Sequence, residues 1–284
     1  MSKLLATLAL LATMQSTDIT PKPLVIGESY RFEAVGAERS INVVLPPDYE
    51  TEADKTWPIV VQLDGGTRQD LFLGNGIEKW NALWGRSQRA IVVGIQTVDR
   101  QRELLPTTRI PGEQQAYPTA GESEAFRNWL AETVLPLIKS RYRHNGAVIL
   151  VGESAAGHFV LETWLERPEL FSGYAAISPS LQWDGQAMAL AAPAGIDGRP
   201  PLYLSLADEG GETEQGMFRL LSKLEASQPF CFSDRRNDLR HATSLHGLLP
   251  EALQYLLPPE ADWLEEYGLG LRCDRGGPLG VAAR

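Results

Sequence analysis

Five stretches of this chain are apolar at nearly every position over the length of a β-strand: WPIVVQL, AIVVGIQ, AVILVGE, YAAIS and PLYLSL. A strand with one face in water alternates polar and apolar residues, so runs without alternation need cover on both faces, as in a buried parallel sheet. The segments between them carry a helical period. Phe126, Trp129, Leu130, Val134, Leu137 and Ile138 share one face of a helix predicted between Thr119 and Tyr142, with Thr119 and Glu122 as a capping box and a kink at Pro136. AAGHFVLETWLERP, EQGMFRLLSKLEA and LPEALQYLLP read as further helices. ESYRFEAV and RSINVVLPP read as an opening antiparallel pair, and DLRHATSL as a weak late strand. Repeated strand, helix, strand units with right-handed crossovers predict an α/β fold, with a mostly parallel central sheet covered by helices on both faces.

The 284 residues are 43% hydrophobic and 22% charged, enough for one sizeable core. The formal charge of −10, without a Lys/Arg run, argues against nucleic acid and against stable association with an anionic membrane. Lys3, the apolar run from Leu4 to Met14 and the small or polar residues after it follow the order of a signal peptide over residues 1–16. Export to the periplasm or medium is therefore expected. A single domain is expected over 17–257, with an irregular extension over 258–284. Cys231 and Cys273 pair, or remain two free thiols. His144, His158, His241 and His246 lack the spacing of a zinc site, so neither metal nor cofactor is expected. Oligomeric state is not legible.

The pattern Gly-Glu-Ser-x-Ala occurs twice, as GESEA around Ser123 and as GESAA around Ser154. A nucleophile elbow needs a strand entering the serine and a helix leaving it, because the tight turn exposes Oγ above the sheet. Ser154 has both neighbours, whereas QQAYPTAG before Ser123 cannot be a core strand. Gly152 and Ala156 flank Ser154 where larger side chains would collide across the turn, and Ala156 stands where glycine is more usual. Ser154 is the expected nucleophile.

A serine hydroxyl needs a base within hydrogen-bonding reach, and in this architecture acid and histidine follow the serine in chain order. His246, in SLHGLLPEAL after the weak strand, is the expected base, with His241 the other candidate. The acid is expected in PLYLSLADEGGETE: Glu209 first, then Asp208 or Glu212, unless a Ser-His dyad operates. The amides of Ala155 and Gly65 are the expected oxyanion donors, Gly65 because glycine lets backbone approach a substrate closely.

These residues carry a resemblance. VVQLDGG, GIQTVDRQRELLPT, VILVGESAAGHFVLETWLERPELFSGYAAISPSLQW and LHGLLPEAL resemble the putative esterase family of α/β-hydrolases, which includes trilactone siderophore esterases and is related to S-formylglutathione hydrolase and feruloyl esterases. The likeness runs from about Ser29 to Leu257. It implies an α/β-hydrolase fold, Ser154 as nucleophile, His246 as base, and Trp183 with Arg102 or Arg100 near the pocket mouth. It also implies hydrolysis of a small-molecule carboxylic ester through an acyl-enzyme. An acyltransferase acting on a sugar or alcohol acceptor, or a non-catalytic binding protein on the same fold, are the alternatives.

Overall fold

A computed structural model describes residues 21–259 and 262–279; the segment expected to be a signal peptide lies outside them. Nine strands form one sheet among the described residues: β1 (Glu28–Ala34), β2 (Ala37–Val44), β3 (Trp57–Leu63), β4 (Ile91–Ile95), β5 (His144–Glu153), β6 (Gly173–Ile177), β7 (Leu202–Leu206), β8 (Phe230–Asp234) and β9 (Arg275–Gly276). Their order is β1-β2-β4-β3-β5-β6-β7-β8-β9. The run from β4 to β8 is parallel, while β1 with β2, β2 with β4, and β8 with β9 are antiparallel. The helices are α1 (Leu71–Leu83), α2 (Arg100–Leu104), α3 (Pro111–Ala116), α4 (Ser123–Trp129), α5 (Leu135–Arg141), α6 (Ala155–Glu166), α7 (Trp183–Ala191), α8 (Gly211–Leu221) and α9 (Ser244–Leu256).

The absence of alternation in the central strands has the expected cause. Ile59, Val61, Leu150 and Leu204 face a core shared with Phe159 and Trp164 of α6, whereas Val60, Ile149, Val151 and Tyr203 face the opposite core with Leu249 and Leu253 of α9. Each face of the sheet is therefore sealed by a different helix, and the C-terminal ends of the parallel strands are left as the place where loops can meet.

Three local expectations are corrected. DLRHATSL is not a strand; the last parallel strand is the short FCFSD of β8, and His241–Thr243 form a single 3₁₀ turn. Thr119 and Glu122 form no capping box: Glu122 makes no side-chain cap bond, the Thr119 hydroxyl donates to Asp99 at 3.0 Å, and Glu122 accepts from Arg102 at 2.6 Å. The helix predicted over that region does continue to Arg141, but through a π turn at Leu130–Val134. Pro136 has no N–H to give, and in a regular α-helix its ring would clash with the carbonyl of Glu132, which accounts for the widened turn before it.

The C-terminal segment is joined to the sheet. β9 pairs with β8, and Cys231 of β8 is disulfide-bonded to Cys273, with their Cα atoms 5.1 Å apart.

Candidate active site

Ser154 sits between the end of β5 and the first residue of α6 with φ 61° and ψ −118°. A non-glycine residue pays for that backbone region in strain, and the surroundings must hold it there. Its N–H donates to Ile177 O at 3.0 Å, and its carbonyl accepts from His158 N at 2.9 Å and Ser180 N at 3.0 Å. Gly152 is required: a Cβ there would lie 2.5 Å from Ala156 O and 2.8 Å from Ala156 Cβ. Ser123, by contrast, is buried at the start of α4 beside Glu162.

The histidine at the serine is His241. Its Nε2 lies 3.1 Å from Ser154 Oγ and its Nδ1 lies 2.8 Å from Glu209 Oε1. A carboxylate oxygen can only accept, so Nδ1 carries the hydrogen and the Nε2 lone pair receives the serine hydroxyl. The Glu209 carboxylate is largely shielded from solvent, and its other oxygen is buried without a partner. The neighbouring Asp208 grips the backbone instead, accepting from His241 N at 3.0 Å and pairing with Arg240. The two acids after β7 thus divide the work: one fixes the main chain of the turn and the other the ring.

The expected contact between His246 and Ser154 is corrected for a physical reason. α9 begins at Ser244, two residues earlier than a loop at His246 would need, and puts His246 in its first turn on the cleft wall near Asp70. The Thr243-Ser244 pair was the available signal, since hydroxyl residues favour helix starts. Ser244 Oγ donates to His241 O at 2.8 Å. His158 is buried in α6 with Nδ1 2.9 Å from Ser180 O, and burial pushes its pKa down to about 4.

Ala155 is the first residue of α6, where the helix leaves its N–H without an intrahelical acceptor, next to the serine. Gly65 does not offer a matching donor. Its N–H is spent on Ile95 O at 2.7 Å, and glycine is needed there because a Cβ would lie 2.3 Å from Gly94 Cα. The close approach is between β3 and β4, not between backbone and substrate. Gly66 N donates in turn to Gln69 Oε1 at 3.0 Å.

Arg102 and Trp183 also lie elsewhere than expected. Arg102 turns to Glu122 and the Gly36 turn. Arg100 is the arginine at the site, donating to Asp64 Oδ2 at 2.9 Å and to Glu153 O at 3.0 Å. Trp183 is buried, with Nε1 donating to Pro106 O at 3.0 Å, and it lines a second cavity of about 400 Å³ together with His158, Glu162 and Met188.

Ser154 opens into a cleft of about 450 Å³ lined by Asp64, Gln69, Asp70, Arg100, Glu153, Ser154, His241, Ala242, Leu245 and His246. The Glu153 carboxylate lies 3.3 Å from His241 Nε2. The His241 pKa is raised, first by the hydrogen bond it donates to Glu209 and further by the charge of Glu153, against burial and Arg100. Burial raises the Glu153 pKa in turn, opposed by His241 and Arg100. A serine hydroxyl, an imidazole and a carboxylate lined up at a cleft have the chemistry that acyl transfer needs.

Known proteins resemble this chain in sequence and in fold. The model of the family described as Putative esterase matches residues 33–208. The ferri-bacillibactin esterase BesA of Bacillus subtilis (strain 168) is 31% identical over 108 residues, 34% of this chain and 37% of that protein, so the match spans little more than a third of the relative's length. An IroE-like serine hydrolase from Shewanella oneidensis has the same fold, with TM-score 0.69 at 22% identity over 81% of this chain and 80% of that one. So does the siderophore hydrolase EstB from Aspergillus nidulans, with TM-score 0.67 at 20% identity over 84% of this chain and 98% of that one.

Proposed function

The chain belongs to the putative esterase family, and from that premise we propose that it is a serine hydrolase cleaving a small-molecule carboxylic ester through an acyl-enzyme. The observation that carries this reading is the unbroken line Ser154 Oγ, His241, Glu209 at a strained strand-to-helix turn. Ser154 attacks the ester carbonyl while His241 Nε2 takes its proton, and Glu209 holds the ring and steadies the imidazolium. The Ala155 amide donates to the oxyanion at the positive end of α6. His241 then gives the proton to the departing alcohol, and water, activated by the same nitrogen, releases the acyl group and restores the serine.

The test is paired. Ser154→Ala should abolish hydrolysis of p-nitrophenyl acetate and labelling by a fluorophosphonate probe, while Ser123→Ala keeps both. Labelling that persists in Ser154→Ala would remove the reading.

The order of residues 1–16 and the disulfide support a protein exported to the periplasm or the medium. No helix among the described residues is long and apolar enough to cross a membrane. Intact mass of the protein recovered from its host should show residues 1–16 removed; a mass retaining them in a cytoplasmic fraction would contradict export.

A further inference from the structure

The cleft that Ser154 opens into is unevenly charged. Three carboxylates line it, from Asp64, Asp70 and Glu153, against one guanidinium, that of Arg100. Arg100 is already committed: it donates to Asp64 and to the carbonyl of Glu153, and Thr97 also donates to Asp64. Asp64 is therefore neutralised within the wall. Asp70 stands before α1 but makes no side-chain cap bond to it. Glu153 is met by the Ser244 hydroxyl at 3.2 Å and by His241 Nε2, and neither is a fixed cation. Two carboxylates thus face the space around the nucleophile without an arginine or lysine partner among the lining residues.

Both are partly removed from water, which weakens screening and strengthens their field inside the cleft. Glu153 directly precedes Ser154, and both reach the same imidazole nitrogen, so its charge lies at the reacting centre. An anionic group brought there meets repulsion; a cationic group replaces the hydration that the carboxylates lose.

Building on the serine-hydrolase reading, we infer that Glu153 and Asp70 are specificity-determining residues that select esters carrying a cationic group, an ammonium or guanidinium, close to the scissile carbonyl. The selection acts on encounter and binding more than on the chemical step, because the charge on the substrate is present before the transition state forms.

The experiment compares two thioesters of the same shape and different charge, acetylthiocholine and 3,3-dimethylbutyl thioacetate, with the full-length protein. In low salt the ratio of their kcat/KM values should favour the cation by about tenfold or more, the range that focused charge gives to association. The preference should shrink as salt rises. Glu153→Gln and Asp70→Asn should each lower the ratio several-fold, and the double variant should bring it near one, mainly through KM. Fluorophosphonate labelling of Ser154 reports that each variant is folded. A wild-type ratio near or below one, a ratio unchanged in the double variant, or cleavage of p-nitrophenyl acetate without cleavage of acetylthiocholine would overturn the inference. Turnover surviving Ser154→Ala would instead overturn the serine-hydrolase reading itself, so the two failures are distinguishable.

Discussion

Ser154 was legible because all that defines it is local. An apolar strand, a glycine two residues before, a small residue two residues after and an amphipathic helix lie within one stretch of sequence, and the strained φ of 61° follows from them. His241 was not legible in the same way. Its place depends on where α9 starts and on Asp208 and Glu209 gripping it from another loop, and no periodicity encodes such contacts. Glu209 was readable as a carboxylate within reach of the histidine from its position just after β7, whereas the separate task of Asp208 is a matter of loop geometry. The geometry predicts opposite results for the two histidines. His241→Asn should lower kcat by several orders of magnitude, and His246→Asn should keep most of it, as steady-state kinetics would show. The pH profile carries a sign. Glu209 and Glu153 raise the His241 pKa, so the ring stays protonated, and useless as a base, to a higher pH than a free histidine near 6.5. The acid limb of kcat/KM should therefore lie above that value. Glu153→Gln removes one of the charges favouring the imidazolium, so the limb should move to lower pH; movement to higher pH would contradict the arrangement. Imidazole NMR titration would report the same shift without turnover.

Among the elements, the parallel strands were legible because their apolar runs can only be explained by two covered faces, and the structure puts a separate core on each. The short edge strand β8 and the start of α9 were not. A strand such as FCFSD carries too few residues for a pattern, and DLRHATSL offered a better imitation of one. The string DRQRELLPT is explained by packing. Glu103 of α2 is fully buried and accepts from Arg39 of β2 at 3.0 Å and from Val98 N and Asp99 N at 3.1 Å each, which fixes the segment that points Arg100 at the site. The elbow gives a sharp prediction. Gly152→Val would force a side chain into the carbonyl of Ala156, so stability should fall by about 1–3 kcal/mol. Displacement of Ser154 should slow catalysis by roughly 10²-fold or more. Denaturant melts and the fluorophosphonate labelling rate would measure the two effects, and labelling at the wild-type rate would show that the turn tolerates the bulk.

At the scale of the whole molecule, the sheet brings residues far apart in sequence to one edge. Ser154 leaves β5, Glu209 follows β7 and His241 follows β8, so the site exists only when the parallel strands are in register. The C-terminal residues read as an irregular extension from composition alone, yet they supply β9 and half of a disulfide. Cross-linking residues 42 apart restricts the unfolded chain. Cys273→Ser should therefore lower stability by about 2–4 kcal/mol, as measured by denaturant unfolding with and without reductant. A variant that reductant destabilises as much as it does the parent would refute that assignment.

The same cross-link makes a closed covalent ring of the chain between Cys231 and Cys273, and the ring contains His241 and the whole of α9. The histidine is thus carried on a loop tethered at both ends. One proteolytic cut between Cys231 and His241 severs the backbone but releases no fragment, so under oxidising conditions a nicked molecule keeps serine and histidine in one covalent body. Only when the sulfur bridge is reduced does the cut divide them, which makes the redox state of the surroundings the arbiter of whether damage to this protein is silent or terminal.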